Sequence, residues 1–469
     1  MRLSHTAART RAVFDEPNLI ASAGLVPVMR LAGICGLEDL AGEQVKVAAK
    51  TGANAGLKIA AIVAGMVGGA DSIDGLGMLR HGAMSRVFAG IRAPSTLGSF
   101  LRGLTYGNAC QVEAVSRRVL ARLAEKAPVL PGADALAVID IDSVQRQVHG
   151  PAKQGAGFGH AKVAGYDLLV RGLNALIATV STAHSVSPVI ACTRLRGGSA
   201  ASARGAARFA AEAITAARAA GCAGQLYMRG DSAYYMKKTI AACRKAGVLF
   251  SFTVKMDPAV KRAIAAISED QWIPIKYPKA VWDEDEERWI SDAQITGVPY
   301  TAFAGDKAHA VTARLIIRRV RRLNPKAASG QGELFELWRH HAFFTDNTMI
   351  LEQAESFHRG HAIIEQVNAD LIDGPLNHMP SGSFAANAAW LACAAIAHNL
   401  IHAAGALASP FHAAARASTI RRELIAVPAR IARTGHADLT CHLPANWHGE
   451  HAFTLLFDRV HAPPEPAAA

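Results

Sequence analysis

Asp142 in the run VIDIDSV, Asp231 in LYMRGDSAYY and Glu365 in HRGHAIIEQVNADL are three acids in three different kinds of local sequence. Carboxylates that meet in a fold repel one another unless cations neutralise them, and hard cations such as Mg²⁺ and Mn²⁺ take oxygen ligands. The chemistry such a trio would support is two-metal phosphoryl transfer: one ion activates water or a 3′-hydroxyl, and the other stabilises the leaving oxygen. Taken singly, each acid also has an ordinary reading as a solvated or N-capping residue, because turn aspartates are common. The elements that carry them differ. Asp142 lies in an apolar run that reads as a buried strand, Asp231 ends a short strand at a Gly-Asp-Ser turn, and Glu365 belongs to a helical stretch. Only tertiary folding can bring the three together. Asp140, two residues before Asp142, shares its strand face by period-2 alternation, so spacing leaves both open as the strand acid.

The surrounding pattern supplies the positioning elements. ALAVIDIDSV reads as a strand, followed after the Gly-rich HGPAKQGAGFGHAKVAGY by two more β-rich runs, YDLLVRGLNALIATVS and SPVIACTRLRGG. An alanine-rich helix over 200–220, the strand GQLYMRGD, a helix over 233–246 and the strand VLFSFTVK complete the series. This β-β-β-α-β-α-β order is that of a ribonuclease-H-like core. The expected fold class is therefore α/β: a ribonuclease-H-like mixed sheet core with a β-rich insertion, an N-terminal helical domain and C-terminal helices. In domains, 1–130 is helical and reads as DNA-binding, and 131–258 is the first part of the core. A β-rich insertion follows at 259–335, the rest of the core with the glutamate helix at 336–408, and a basic segment at 409–469 ending in the disordered tail APPEPAAA.

The chain has 469 residues, 51% of them hydrophobic, which excludes general disorder. Its formal charge of +12 and pI near 9.5 favour a polyanionic partner, of which nucleic acid is the most common large one. Seven scattered cysteines without a Cys-x-x-Cys pair indicate neither a disulfide framework nor a zinc ribbon. The start MRLSHTAARTRAVFDEP lacks the apolar core of a secretion signal, so a cytoplasmic, nucleoid-associated location is expected. The apolar stretches 59–70 and 385–397 read as buried helices, and no membrane association is expected.

Basic residues suggest where DNA would lie. Arg80, Arg86, Arg92 and Arg102 recur around RAPSTLGSFLRGL, where Pro94 and Ser95 start a helix; they read either as a DNA-contacting surface or as the wet face of a bundle. In AHAVTARLIIRRVRR, Arg314, Arg318 and Arg322 project from one strand face and Arg319 and Arg321 from the other. Such a strip suits phosphate contacts, or else guards an edge strand. Arg229, beside the Gly230 turn, could neutralise a phosphate or form a salt bridge. The glycines of GAGFGH lack the helix that a nucleotide loop requires. His398 and His402 have the i, i+4 spacing of a metal pair but no glutamate between them, and read as ordinary histidines.

VIDIDSV followed by His149, Gly150 and Gln154, then RGDSAYY, then HAIIEQVNADL with PSGSFAANAAWLACAAIAHNL, resembles the DDE transposases of bacterial insertion sequences. The similarity is to the branch with a β-strand insertion before the last acid, and it covers about 135–400. The resemblance implies that Asp142, Asp231 and Glu365 are the catalytic and metal-binding acids, holding two Mg²⁺ or Mn²⁺ ions, with Asp142 bridging both. Asp142 is preferred to Asp140 because it precedes Ser143, as the family's strand acid usually precedes a small or hydroxyl-bearing residue. Where the family places a tyrosine and an arginine before the glutamate and a lysine after it, this chain has His358, His361 and Ile372. Arg359 and His361 are then the nearest groups for a phosphate, while Asn387 and Asn399 are expected to hold structure. The implied function is a transposase that binds terminal inverted repeats and target DNA as a homodimer. The alternatives are a nuclease of the same fold without strand transfer, or a catalytically inactive DNA-binding relative.

Overall fold

The computed structural model describes residues 4, 10–48, 50–163, 166–185, 187–201, 203–283, 288–321, 338–433 and 438–462. The chain opens with a short strand, β1 (Leu19–Ile20), and six helices: α1 (Leu25–Ile34), α2 (Leu37–Gln44), α3 (Ala55–Gly68), α4 (Met84–Val87), α5 (Pro94–Arg102) and α6 (Tyr106–Lys126). Helix α5 starts on Pro94, whose missing N–H costs nothing in a first turn, and buries Leu97, Phe100 and Leu101. A reciprocal cap starts α6: Thr105 Oγ1 accepts from the Asn108 N–H at 3.2 Å, and the Asn108 side chain accepts from the Thr105 N–H at 3.0 Å.

The central sheet begins with β2 (Leu136–Gln147), β3 (Gly157–Val163), β4 (Tyr166–Ser181) and β5 (Val189–Gly197). After α7 (Ala206–Ala219) come β6 (Gln225–Gly230), α8 (Lys237–Lys245) and β7 (Leu249–Thr253). Strand β4 is long enough to pair antiparallel with β2 along one edge and, along the other, with β3 and β5 end to end. Strands β2, β6 and β7 are mutually parallel. The α7 connection runs between β5 and β6, and α8 between the parallel strands β6 and β7.

Helix α9 (Pro258–Ala265) leads into β8 (Ile273–Asp283), β9 (Arg288–Ala302), β10 (Val311–Arg321) and β11 (Trp338–Thr345). The β-rich segment expected as an insertion builds no separate sheet among the described residues. Strand β11 pairs antiparallel with the exposed edge of β7, and β10, β9 and β8 follow in turn, making one ten-stranded sheet. An open strand edge is a template for further pairing, and this chain uses its own.

Helices α10 (Leu351–Arg359), α11 (Ile364–Ile372) and α12 (Phe384–Ala408) follow. By length and composition α12 could cross a membrane, but 94% of its most apolar window is buried inside the protein, packed on α6, β5 and α3. Asn399 fixes it to the sheet edge, accepting from the Ile190 N–H at 2.7 Å and donating to the Ile190 carbonyl at 2.9 Å. Asn387 likewise bonds both backbone groups of Ser381. These two asparagines hold backbone, as expected.

The basic C-terminal segment is built of short helices and strands. It forms α13 (Pro410–Ala414), α14 (Ala417–Ile420), β12 (Ala429–Arg433), β13 (Leu439–His442) and α15 (Glu450–His461). Strand β12 lies between β1 and β13, and α15 packs on α1 and α12, so the two ends of the chain share one core. The approach is close enough that a Cβ on Gly24 would lie 1.8 Å from the Leu424 carbonyl oxygen. The tail from 463 onward lies outside the described residues.

Candidate active site

In the parallel pairing of β2 with β6, Asp140 stands opposite Arg229 and Ile141 opposite Gly230. The next residues, Asp142 and Asp231, therefore lie side by side where β6 ends, on strands spaced about 4.8 Å apart. Period-2 alternation puts Asp140, Asp142 and Arg229 on one face of the sheet. The segment running from α10 through the turn at 360–363 into α11 crosses this face, and Arg229 fastens it by donating to the carbonyls of Phe357 and, at 3.1 Å, Gly360. Glu365 is in the first turn of α11. Asp142, Asp231 and Glu365 line a single cavity of about 570 Å³, together with Thr253, Arg318, Glu355, His358, Arg359 and His361.

The two aspartates of β2 have opposite environments. Asp140 is 0% exposed and grips Arg229 through two bonds of 2.8 and 2.7 Å, while His361 Nδ1 lies 2.9 Å from its Oδ1. Burial alone would raise its pKa, but Arg229 and His361 hold the carboxyl below its ordinary range. Asp142 opens onto the cavity. Its Oδ1 accepts from the Ser143 N–H at 2.6 Å and its Oδ2 from the Asn368 amide at 2.9 Å. Desolvation pushes its pKa up and the neighbouring Asp231 charge adds to this, outweighing His361 and the two hydrogen bonds. Asp231 shapes its own turn by accepting from the Ala233 N–H at 2.9 Å. Of the two β2 acids, Asp142 is the one at the cavity.

The histidines standing in the family's tyrosine and arginine places do different work. His358 lies with Nδ1 2.8 Å from Ser251 Oγ and Nε2 3.0 Å from Thr253 Oγ1, and its ring stacks on Phe343 at 4.2 Å. Burial, with the nearby positive groups, pushes its pKa down to about 3, so the ring is neutral. His361 is the reverse: burial would lower its pKa, but the bond to Asp140 and the charges of Asp140 and Asp142 raise it.

Several basic residues are placed otherwise than expected. Of the two readings of Arg229, phosphate contact or surface salt bridge, the ion pair is the one seen, but buried: at 5% exposure the guanidinium is taken up by Asp140 and two backbone carbonyls. Arg314 donates to the carbonyls of Asn347 and Met349, at 3.2 and 2.6 Å, and so holds the loop before α10 instead of lining the cavity. Arg319, on the opposite strand face, is sandwiched between Trp272 and Trp338, 4.1 and 4.3 Å from their ring centres, and paired with Glu269. Arg318, Arg359 and His361 do line the cavity. Arg92 precedes α5 and Arg102 ends it, and neither borders the cavity; Arg322 lies outside the described residues.

Two contributors are absent from the sequence reading. Asn368 sits one helical turn after Glu365, a spacing that places both on one face of α11, and this was the available signal. Glu355 has Arg359 at i+4, which is too common a pattern to single it out. A second cluster, Asp370 with His398 and His402, has side-chain oxygen and nitrogen atoms within 4.8 Å of one another. Asp370 already accepts from Arg416, the Ala417 N–H at 3.2 Å and His402 at 3.1 Å. A cation there would face the Arg416 guanidinium, so the cluster serves as a tie between α11, α12 and the segment at 416–417.

These observations define an α/β protein whose large mixed sheet presents two aspartates on adjacent parallel strands to a cavity shared with a helix-borne glutamate. The chain belongs to the DDE transposases: the family described as transposase DDE domain, group 1, matches residues 59–328, more than half of its length. Membership implies an enzyme of the polynucleotidyl transferase or nuclease type, with DNA as its partner. Asp142 and Asp231 fall inside the matched span, and Glu365 lies beyond it. Comparison with curated proteins found no match.

Proposed function

We propose that this chain is the transposase of a bacterial insertion sequence, which binds the element's terminal inverted repeats and performs two-metal strand cleavage and strand transfer. The observation that carries this reading is the meeting of Asp142, Asp231 and Glu365 at one cavity, from elements 89 or more positions apart in the chain. The strand order β5-β4-β2-β6-β7, with β4 antiparallel to its neighbours and the last three strands parallel, supports a ribonuclease-H-like core.

The residues fit divalent metal. The donors are carboxylate oxygens, the ligands that Mg²⁺ and Mn²⁺ prefer. Two of the cavity's cationic groups are bonded to other acids, His361 to Asp140 and Arg359 to Glu355. The raised pKa of Asp142 marks a carboxylate whose charge calls for compensation. Asp142, Asp231 and Glu365 would hold the ions, which would supply an activated hydroxyl and a stabilised leaving oxygen. Arg318, Arg359 and His361 would face phosphates in the cavity. Arg92, Arg102 and Arg322 are proposed contacts elsewhere on the DNA, in a protein acting as a homodimer in the nucleoid.

The test uses purified protein and labelled duplex from the ends of the DNA segment that encodes it. Nicks at the 3′ ends are expected with Mg²⁺ or Mn²⁺ and not with EDTA, and pre-cut ends should be joined to a target duplex. Nicking without joined product would reduce the activity to that of a nuclease, and no metal-dependent nicking would overturn the reading. Asn368→Ala is expected to slow nicking about tenfold through the mis-set Asp142 carboxylate. The effect should shrink at high Mn²⁺; an unchanged rate would remove Asn368 from the site.

A further inference from the structure

A second cavity, of about 270 Å³, lies among the N-terminal helices and shares no residue with the active-site cavity. Its wall is Thr51 of the turn at Lys50–Gly52, Lys58 of α3, and Ser95, Thr96 and Ser99 of α5. Lys58 is only 7% exposed, although burying an ammonium is costly unless it is paired. Its Nζ donates to the Thr51 carbonyl at 2.7 Å and the Ala53 carbonyl at 2.6 Å, and lies 5.4 Å from the centre of the Phe100 ring. An ammonium has three donors, and these two bonds leave one over. Among the described residues no carboxylate pairs with Lys58: desolvation lowers its pKa, and the charge that adds to this is another cation, Arg92. Arg92 and Arg102 likewise have no acid partner among the described residues; Arg102 donates instead to the Ser99 hydroxyl on the cavity wall, at 3.4 Å. Thr51 Oγ1 is buried without a hydrogen-bond partner.

The cavity thus gathers an uncompensated ammonium, a spare buried hydroxyl and the exposed hydroxyls of α5, with two guanidiniums close by. A side chain needed only to tie the loop at 51–53 to α3 could be a neutral donor, which would carry neither the desolvation cost of a charge nor the repulsion from Arg92. What the arrangement lacks is an anion. Hydroxyl and ammonium donors that converge on an open pocket suit the oxygens of a phosphate, which lysine serves as a point charge. We propose that this cavity holds one backbone phosphate of the bound DNA, with Lys58 and the surrounding hydroxyls as its donors and with Arg92 and Arg102 serving neighbouring phosphates. Such a contact fixes the position of the duplex without reading its sequence. That the ligand is DNA rests on the transposase reading.

A phosphate contact has a signature that a loop tie lacks. The experiment measures anisotropy of the labelled terminal duplex and of an unrelated duplex of the same length, without divalent metal, over a range of salt. Lys58→Met is expected to weaken binding of both by the same factor, about tenfold, and to lose about one from the slope of log K against log salt. Thr96 is exposed and its hydroxyl bonds to nothing else among the described residues, so Thr96→Val changes no charge and loosens no loop. It is expected to weaken both duplexes about threefold, with the salt slope and the urea midpoint unchanged. The double variant should lose less than the two single losses combined, because both groups hold one phosphate. Thr96→Val decides the matter if Lys58→Met does not fold. A site for free phosphate would show differently: inorganic phosphate would raise the urea midpoint of the wild type and not of Lys58→Met, while the two bound duplex equally well.

Unchanged duplex affinity in the variants, a loss confined to the terminal duplex, or a loss with Lys58→Met and none with Thr96→Val would overturn the DNA phosphate site, while wild-type nicking leaves the transposase reading standing. If the wild-type protein neither binds nor nicks the duplex, that reading fails and the site's assignment to DNA fails with it.

Discussion

Asp142→Asn and Asp231→Ala are each expected to lower metal-dependent nicking by about 10³-fold or more, because the loss of one member of a catalytic unit disables the whole. The same variants should stay close to the wild type in stability, because the relieved repulsion offsets the bonds they lose, from the Ser143 N–H to Asp142 and from the Ala233 N–H to Asp231. Asp142 is held with its pKa above the ordinary range, by desolvation first and by the Asp231 charge beside it. A carboxyl whose pKa is raised on folding pays for its charge in the native state at neutral pH, so the uncharged amide relieves repulsion that the metal-free protein carries. Asparagine at 142 can keep its oxygen toward the Asn368 amide, but its NH2 then faces the Ser143 N–H and that bond is lost. The measurements are nicking of terminal duplex in Mg²⁺ and the urea midpoint in EDTA. Retained cleavage in Asp231→Ala would remove the site assignment. A large drop in stability would make both aspartates structural.

Arg229→Met is expected to act in the opposite way, destabilising the protein by about 3–5 kcal/mol. Asp140 is 0% exposed and would lose the partner that binds both its oxygens, leaving a buried carboxylate beside His361 alone. The Phe357 and Gly360 carbonyls would lose their donor too, and with it the fastening of the Glu365 segment to the sheet. Nicking should therefore fall although Arg229 is absent from the cavity wall. Removing both charges, in Asp140→Leu with Arg229→Met, should restore much of the stability, since the penalty comes from the orphaned ion and not from the loss of the pair. Urea denaturation of the two single variants and the double variant checks this. Had Arg229 been a phosphate contact, Arg229→Met would weaken DNA binding and leave the urea midpoint in place.

The contrast between Asp140 and Asp142 shows how far local pattern reaches. Both lie on one strand face, and period-2 alternation cannot rank them. What separates them is register: Asp140 falls opposite Arg229 and becomes half of a buried ion pair, while Asp142 falls one step past Gly230 and opens onto the cavity. The arginine strip of β10 divides for the same kind of reason. Arg318 faces Glu355 and the cavity, Arg319 is trapped between two tryptophans, and Arg314 is taken by loop carbonyls. Glu355 itself was illegible because Tyr277 and Arg318, which make it notable, arrive from strands that are distant in the chain.

Read alone, the amino-acid order determined the alternation of strands and helices from 135 onward, the excess of positive charge, and three acids set in a buried strand, a strand-ending turn and a helix. These are local properties, set by hydrophobic period, turn residues and composition, which neighbouring residues establish among themselves. The tertiary structure decided which aspartate meets the cavity, that the β-rich segment prolongs the main sheet from the free edge of β7, and which arginines are spent on buried carboxylates. Those outcomes depend on pairing between groups far apart in the chain, where a charge takes whichever partner the fold places beside it.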